Sequence, residues 1–145
     1  MEKYVSYRTD DFESGNAALN DLADQLVQTF VVKANQRNIC LVNEIPPHLQ
    51  LKADIQMTAS IVSGLLASLV SHAMDTCIRL SAKKYGNVIL LQARDGGSLN
   101  SSLVEAQLQV LQPLAEKLKG SIAITSQRKN ATTITFGFPN LPYRI

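Results

Sequence analysis

The stretch at residues 54–77, DIQMTASIVSGLLASLVSHAMDTC, determines how the rest of the chain is organised. Its apolar residues recur at spacings of three and four, which place side chains on one face of an α-helix. We therefore expect one helix over residues 54–77 with a single core-facing stripe. The members of that stripe are Ile55, Ala59, Val62, Leu65, Leu66, Leu69, Val70, Ala73 and Cys77.

A second set of residues follows an adjacent flank of the same predicted helix. Gly64, Ser68, His72 and Asp75 also lie three or four positions apart, and all are small or polar. A core helix needs only one apolar face, so this flank either meets solvent or lines a crevice. The pattern by itself leaves both interpretations open.

The composition is that of a globular protein with one domain. The chain has 145 residues, of which 46% are hydrophobic and 18% charged, enough to build a core without disulfides or metals. No apolar run is long enough to be read as a membrane span and the N-terminus has no apolar signal region, so we expect a cytoplasmic segment without a membrane contact. The 14 basic and 12 acidic residues form no dense basic cluster, which argues against nucleic acid as a partner.

The two cysteines, Cys40 and Cys77, are isolated in the sequence and have apolar neighbours. Such a setting predicts two buried thiols and gives no indication of a metal site or a disulfide.

Local patterns divide the chain into a lead-in segment at residues 1–15, with a loose structure or an edge strand around Tyr4–Tyr7, and one domain at residues 16–145. Asp54 stands where the N-cap of the central helix should be. Ser102 and Glu105 have the spacing of a capping box, and Pro113 predicts a kink or a break near Gln112. Besides 54–77, the predicted helices cover 16–34 and 102–118, and the predicted strands cover 39–45, 78–83, 88–94, 121–126 and 132–138.

The order of these elements is helix, strand, helix, hairpin, helix, hairpin. Strands paired mostly through hairpins, with long helices between them, favour two layers. We expect an α/β (α+β) fold: a two-layer sandwich with a mixed, mostly antiparallel five-stranded sheet and three helices on one face.

At this point the residues resemble the GHKL or Bergerat-fold superfamily of ATP-binding domains, specifically its sensor histidine kinase branch. The resemblance covers about residues 16–139. Residues 38–54, NICLVNEIPPHLQLKAD, resemble the strand and turn before the family's N-box helix, and residues 61–77, IVSGLLASLVSHAMDTC, resemble that helix. Residues 89–97, ILLQARDGG, resemble the strand that carries the adenine-binding aspartate. The closing helix and hairpin of the family resemble residues 114–126, LAEKLKGSIAITS, and 130–139, NATTITFGFP.

The resemblance implies a nucleotide-pocket remnant made of Ser68, His72, Asp75, Asp95 and Gly97. Ser68 and His72 stand at the two N-box positions where working members carry asparagines, the second of which holds magnesium. Asp75 stands where the family often places a basic residue for a phosphate. Asp95 and Gly97 match the start of the D-x-G-x-G box. The glycine-rich phosphate cradle and a mobile lid have no counterpart, so we expect an open surface around Gly64, Ser68 and His72.

Simpler interpretations of these residues remain open. Asp95 precedes two glycines and, apart from the resemblance, is more typical of a turn aspartate. His72 is more typical of a partly buried histidine that hydrogen-bonds a carbonyl or Asp75 than of a metal ligand, and imidazole is in any case a poor ligand for magnesium.

The resemblance leads to a degenerate histidine-kinase-like ATPase domain that acts as a non-catalytic regulatory or protein-docking module in two-component-type signalling. No catalytic or metal-ligating residue is assigned, and no cofactor is expected. The expected partners are proteins, a response regulator or a kinase helical hairpin, and a homodimer is allowed. The alternatives are a functional but divergent ATP-binding domain of a sensor kinase, which would use ATP and magnesium, and the lidless domain of a phosphotransfer protein.

Overall fold

The computed structural model describes residues 17–96, 101–126 and 131–142, which contain three helices and seven strands. The predicted edge strand at Tyr4–Tyr7 lies outside these residues. The elements are β1 (Ala17–Ala18), α1 (Leu19–Gln36), β2 (Ile39–Asn43), β3 (Gln50–Leu51), α2 (Ile55–His72), β4 (Thr76–Tyr85), β5 (Val88–Asp95), α3 (Ser101–Lys117), β6 (Ser121–Ser126) and β7 (Thr132–Pro139).

The main sheet has five strands in the order β2-β4-β5-β7-β6, and the two-residue strands β1 and β3 pair separately. Strand β2 runs parallel to β4, and every other pair in the main sheet is antiparallel. The parallel pair requires a crossover, and α2 provides it. Residues of β5 and β7 alternate between buried and more accessible positions, so one face of the sheet is covered by the helices. The predicted two-layer α+β sandwich with a mixed five-stranded sheet is confirmed.

Helix α2 lies between α1 and α3, and most of its predicted stripe is buried. Asp54 caps it as predicted, because its side chain accepts a hydrogen bond from the Met57 N–H at 2.9 Å. By length and hydropathy α2 could also cross a membrane, contrary to the expectation from sequence. Half of its residues are buried within the fold, which is the ordinary situation of a core helix.

The predicted end of this helix at Cys77 is wrong. Helix α2 ends at His72, and Asp75 adopts a positive φ of 55° before β4 begins at Thr76. The reason is the parallel register, which pairs Ile39 with Thr76 and Cys40 with Cys77 and therefore needs extended backbone there. Asp75 and Cys77 consequently do not belong to the helix.

Other boundaries differ by a few residues. Ala17–Ala18 pairs with Gln50–Leu51 instead of opening α1, and Asn16 lies outside the described residues. Helix α3 continues through Pro113, so of the predicted kink or break near Gln112 the break is wrong and the kink stays a prediction. The helix begins at Ser101, which places Ser102 in its first turn and not at the predicted cap.

Two glycines lie where the backbone geometry requires them, at the end of α3 and in the β4–β5 hairpin. Lys119 has a positive φ of 61° and the Gly120 N–H bonds to the Ala115 carbonyl at 2.9 Å, which is a Schellman-type ending. A Cβ on Gly120 would lie 2.3 Å from the Gly137 carbonyl oxygen, so no larger residue fits. Gly86 supplies a positive φ of 59° between β4 and β5.

Substitution of Leu66 or Leu69 by alanine should destabilise the fold. Both side chains are 0% exposed, so each change leaves a cavity in a packed core and should cost about 2–5 kcal/mol. The measurement is the free energy of unfolding from denaturant titration. Val110→Ala is the matched control, because Val110 is 77% exposed and its loss should cost less than about 0.5 kcal/mol. Equal midpoints for the core variants and the native chain would contradict the central position of α2.

Candidate functional site

The flank of α2 that carries Gly64, Ser68 and His72 meets α3 at Gly64. A Cβ on Gly64 would lie 2.7 Å from Cδ2 of Leu111, so glycine lets the two helices approach each other closely. Ser68 is only 4% exposed, and Gly64 and His72 are half-buried. The expectation of an open surface is therefore wrong at Ser68.

Two polar atoms on this flank are buried and have no hydrogen-bond partner among the described residues. They are Oγ of Ser68 and Nε2 of His72, one helical turn apart. Buried polar atoms are normally paired, so unpaired ones identify a place where a ligand or water group can be accommodated. The alternative in which a carbonyl or Asp75 satisfies His72 is not supported at Nε2, which has no partner among the described residues. In the described ranges, no three His, Cys, Asp or Glu side chains are grouped as a metal site would require.

Asp95 ends β5 and is 0% exposed. Its register partner on β7 is Thr132, which is 2% exposed, and its partner on β4 is Ile78. A buried carboxylate beside a buried hydroxyl at the end of a strand forms a polar spot in an apolar sheet face, suited to hydrogen-bonding a ligand. Gly97 lies outside the described residues.

Sequence reasoning did not identify Thr132. The signal that could have found it is the alternation of β7, in which Thr132 shares the inward face with Ile134, Phe136 and Phe138. A threonine on an otherwise apolar inward face is unusual enough to be singled out.

Asp75 lies apart from this flank. Its carboxylate accepts a hydrogen bond from Nδ2 of Asn38 at 2.9 Å, and its N–H donates to the Arg37 carbonyl at 3.1 Å. Together with Asn35, Cys40 and Cys77 it lines a cavity of about 610 Å³ beside β2, and Ser68 and His72 are not among the lining residues. The hydrogen bonds of Asp75 therefore connect the residue before β4 to the chain that follows α1, and Asp75 lines the same cavity as the two cysteines.

Both cysteines are exposed, so the prediction of buried thiols is wrong. Alternation along each strand is the reason: Ile39 and Ile78 point into the core, and their neighbours Cys40 and Cys77 point outward. The two residues are direct register partners on parallel strands. A hydrogen bond between the two thiols is the main cause that raises the pKa of Cys40, with partial desolvation and the charge of Cys77 adding to it and the Arg79 charge opposing it.

A second cavity, of about 570 Å³, lies at the other end of β4. Lys52, Lys83 and Lys84 line it together with His48. Its wall includes Asn140, whose Oδ1 accepts from the Lys52 N–H at 2.7 Å and from the Ala53 N–H at 3.3 Å, and whose Nδ2 donates to the Gln50 carbonyl at 2.8 Å. These bonds fix the entry into α2 against the end of β7.

Comparison with known proteins gives matches by structure only. No protein-family model and no curated protein matches the sequence. The histidine kinase AdeS of Acinetobacter baumannii has a TM-score of 0.73 at 12% identity, over 85% of this chain and 65% of that one. The catalytic domain of the histidine kinase ThkA has a TM-score of 0.75 at 16% identity, over 87% of this chain and 95% of that domain.

A complex of histidine kinase ThkA with the response regulator protein TrrA also matches, with a TM-score of 0.69 at 16% identity, over 86% of this chain and 41% of the kinase chain. These neighbours show that the chain has the fold of the histidine kinase catalytic domain, which is the GHKL-type fold expected from the sequence. The chain spans about the length of the catalytic domain and less than two thirds of the AdeS and ThkA kinase chains in the other two matches.

Replacement of Ser68 by alanine should leave the fold as stable as before or more stable, by up to about 1 kcal/mol, since it removes a buried hydroxyl without a partner. Thermal and denaturant unfolding measure the change. Thr29→Ala is a suitable control, because the Thr29 hydroxyl donates to the Gln25 carbonyl at the surface of α1. A clear loss of stability in Ser68→Ala would mean that the hydroxyl has a structural partner after all.

Proposed function

We propose that this chain is a histidine-kinase-like ATP-binding domain that has lost phosphoryl transfer and works as a cytoplasmic regulatory or docking module in two-component-type signalling. The fold shared with histidine kinase catalytic domains supports the signalling context. The observation that carries the non-catalytic part is the chemistry of the α2 flank. Its polar atoms are the buried Oγ of Ser68 and Nε2 of His72, and Gly64 on the same flank lies against Leu111 of α3.

The chemistry of the flank supports the same proposal. Phosphoryl transfer depends on a metal ion and on groups that position phosphates. Magnesium requires several oxygen ligands in a near-octahedral arrangement. At the two N-box positions the chain offers the hydroxyl of Ser68, which is 4% exposed, and the imidazole of His72. Asp75, the third residue of this set, is turned toward Asn38. The imidazole of His72, at the position where working members hold magnesium, does not replace an amide oxygen as a ligand of this ion.

One observation favours the alternative of a divergent but working nucleotide site. Asp95 and Thr132 are buried side by side at the end of β5, where the resemblance places the adenine-binding aspartate. A nucleobase could use that pair even where phosphate contacts are poor. The two functions therefore differ in whether ATP binds at all.

A partner protein has a suitable surface on α3. Leu103, Ala106 and Val110 are exposed and lie three and four positions apart, which forms an apolar stripe on the outer side of the helix. Leu103 is 51% and Val110 77% exposed. Apolar side chains grouped on one helix face are typical of a surface that packs against another helix. We propose this stripe as the contact for a kinase helical hairpin or a response regulator.

ATP with magnesium should give no heat of binding in calorimetry at millimolar nucleotide. Phosphates would find neither a metal ligand set nor a glycine-rich cradle, and such contacts act together. For the same reason His72→Asn, which restores one ligand, should not restore binding. ATP binding by the native chain that disappears in Asp95→Asn would replace the proposed function with the nucleotide-binding alternative. Val110→Ala serves as the control for nonspecific heat.

Val110→Glu should weaken partner binding at least tenfold, because it places a charge on the most exposed residue of the apolar stripe. The measurement is titration of an isotope-labelled chain with a receiver domain and, separately, with a two-helix phosphoacceptor hairpin. Gln109→Glu introduces the same charge at the neighbouring exposed position and should leave affinity unchanged. Both variants should unfold at the native midpoint. Chemical-shift changes confined to the uncovered sheet face, or none with either partner, would rule out the docking role of α3.

A further inference from the structure

Cys40 and Cys77 form a pair that the proposed function does not use. They are register partners on the parallel strands β2 and β4 and lie on the same outward face of the sheet. Neighbouring strands are about 4.8 Å apart, and disulfides join Cα atoms separated by about 4.4–6.8 Å. The positions of the two backbones therefore already suit a bond between the two sulfur atoms.

The pairing also places the two side chains next to each other on one face of the sheet, so the two sulfur atoms can approach without any change of strand register. Strand β2 is at one edge of the five-stranded sheet, where β4 is its strand neighbour, and α1 also packs against it. A shift of β2 that closes the bond is therefore accommodated by one strand and one helix.

A reagent can reach the pair. Both cysteines are exposed and line the cavity of about 610 Å³ beside β2. This volume lies within the range of small-molecule sites, about 300–1,000 Å³. Asn35, Asn38 and Asp75 provide polar groups on the same wall. A small peptide-like disulfide can therefore occupy the space next to the thiols.

We propose that Cys40 and Cys77 are a redox-active dithiol that low-molecular-weight disulfides, of the glutathione type, oxidise to an intramolecular disulfide. One cysteine thiolate attacks a sulfur of the small disulfide, forms a mixed disulfide and releases one small thiolate. The second cysteine thiolate then attacks the protein sulfur of the mixed disulfide and releases the other small thiolate. The two protons from the cysteines end on the two released thiols, and the protein has lost two electrons.

The bond would act on the element that the fold depends on. The closed loop from Cys40 to Cys77 contains the whole of α2, with Gly64, Ser68 and His72. A cross-link restricts the unfolded chain and so stabilises the folded one. Oxidation therefore stabilises the folded crossover that contains α2, and reduction removes that stabilisation.

The test uses the complete chain in buffers with defined ratios of reduced and oxidised glutathione. In the oxidising buffer the native chain should lose both free thiols, fall in mass by two hydrogen atoms, stay free of disulfide-linked dimers and give a peptide in which Cys40 and Cys77 are joined. Because the chain has 2 cysteines, the thiol count is unambiguous. Retention of both thiols, stable glutathione adducts on each cysteine, or disulfide-linked dimers would overturn the proposal.

Cys40→Ser and Cys77→Ser are the matched controls. Each should stop at one glutathione adduct, since no second thiol can displace it. The oxidised native chain should unfold at a higher denaturant concentration than the reduced chain, whereas the two variants should show no such increase. An oxidised native chain with an unchanged or lower midpoint would mean that the bond does not form within the native sheet, and would also overturn the proposal. ATP binding does not enter these measurements, so their failure is separate from failure of the proposed function.

Discussion

The parallel pairing of β2 with β4 is the constraint on which this structure depends. Two parallel neighbours need a connection that crosses the sheet, and the only long element between them is α2. Once α2 crosses, α1 and α3 can cover it on either side. Its apolar stripe then becomes the centre of the helical layer, and the remaining antiparallel strands extend the sheet beyond β4. The burial of the apolar stripe of α2 and the parallel register of β2 with β4 therefore depend on each other.

Features that depend on neighbouring residues were predictable from the sequence. The spacing of apolar residues located α1, α2 and α3, and β-branched runs with turn residues located the five main strands. The cap at Asp54 follows from local chemistry and was also predicted. The three helices over one mixed sheet then followed from the order of the elements.

Features that depend on distant residues were not predictable in the same way. The end of α2 is set by the register of Thr76 with Ile39, which the local pattern does not contain. The exposure of Cys40 depends on which face of the edge strand meets the helices. Likewise Leu111 closes the flank at Gly64 from another helix, and Thr132 becomes a neighbour of Asp95 only through pairing of β5 with β7. In each case a tertiary contact decides what a local pattern leaves open.

The hydrogen bonds of Asn140 have a consequence for the order in which the chain can acquire its structure. Asn140 lies 88 residues beyond Lys52, yet its side chain accepts a hydrogen bond from the Lys52 N–H and donates one to the Gln50 carbonyl. The backbone leading into α2 can complete its hydrogen bonding only after residue 140 has left the ribosome. Closure of such a long loop is costly in entropy and slow relative to helix formation. The central helix can thus form early during synthesis, while its entrance is fixed late.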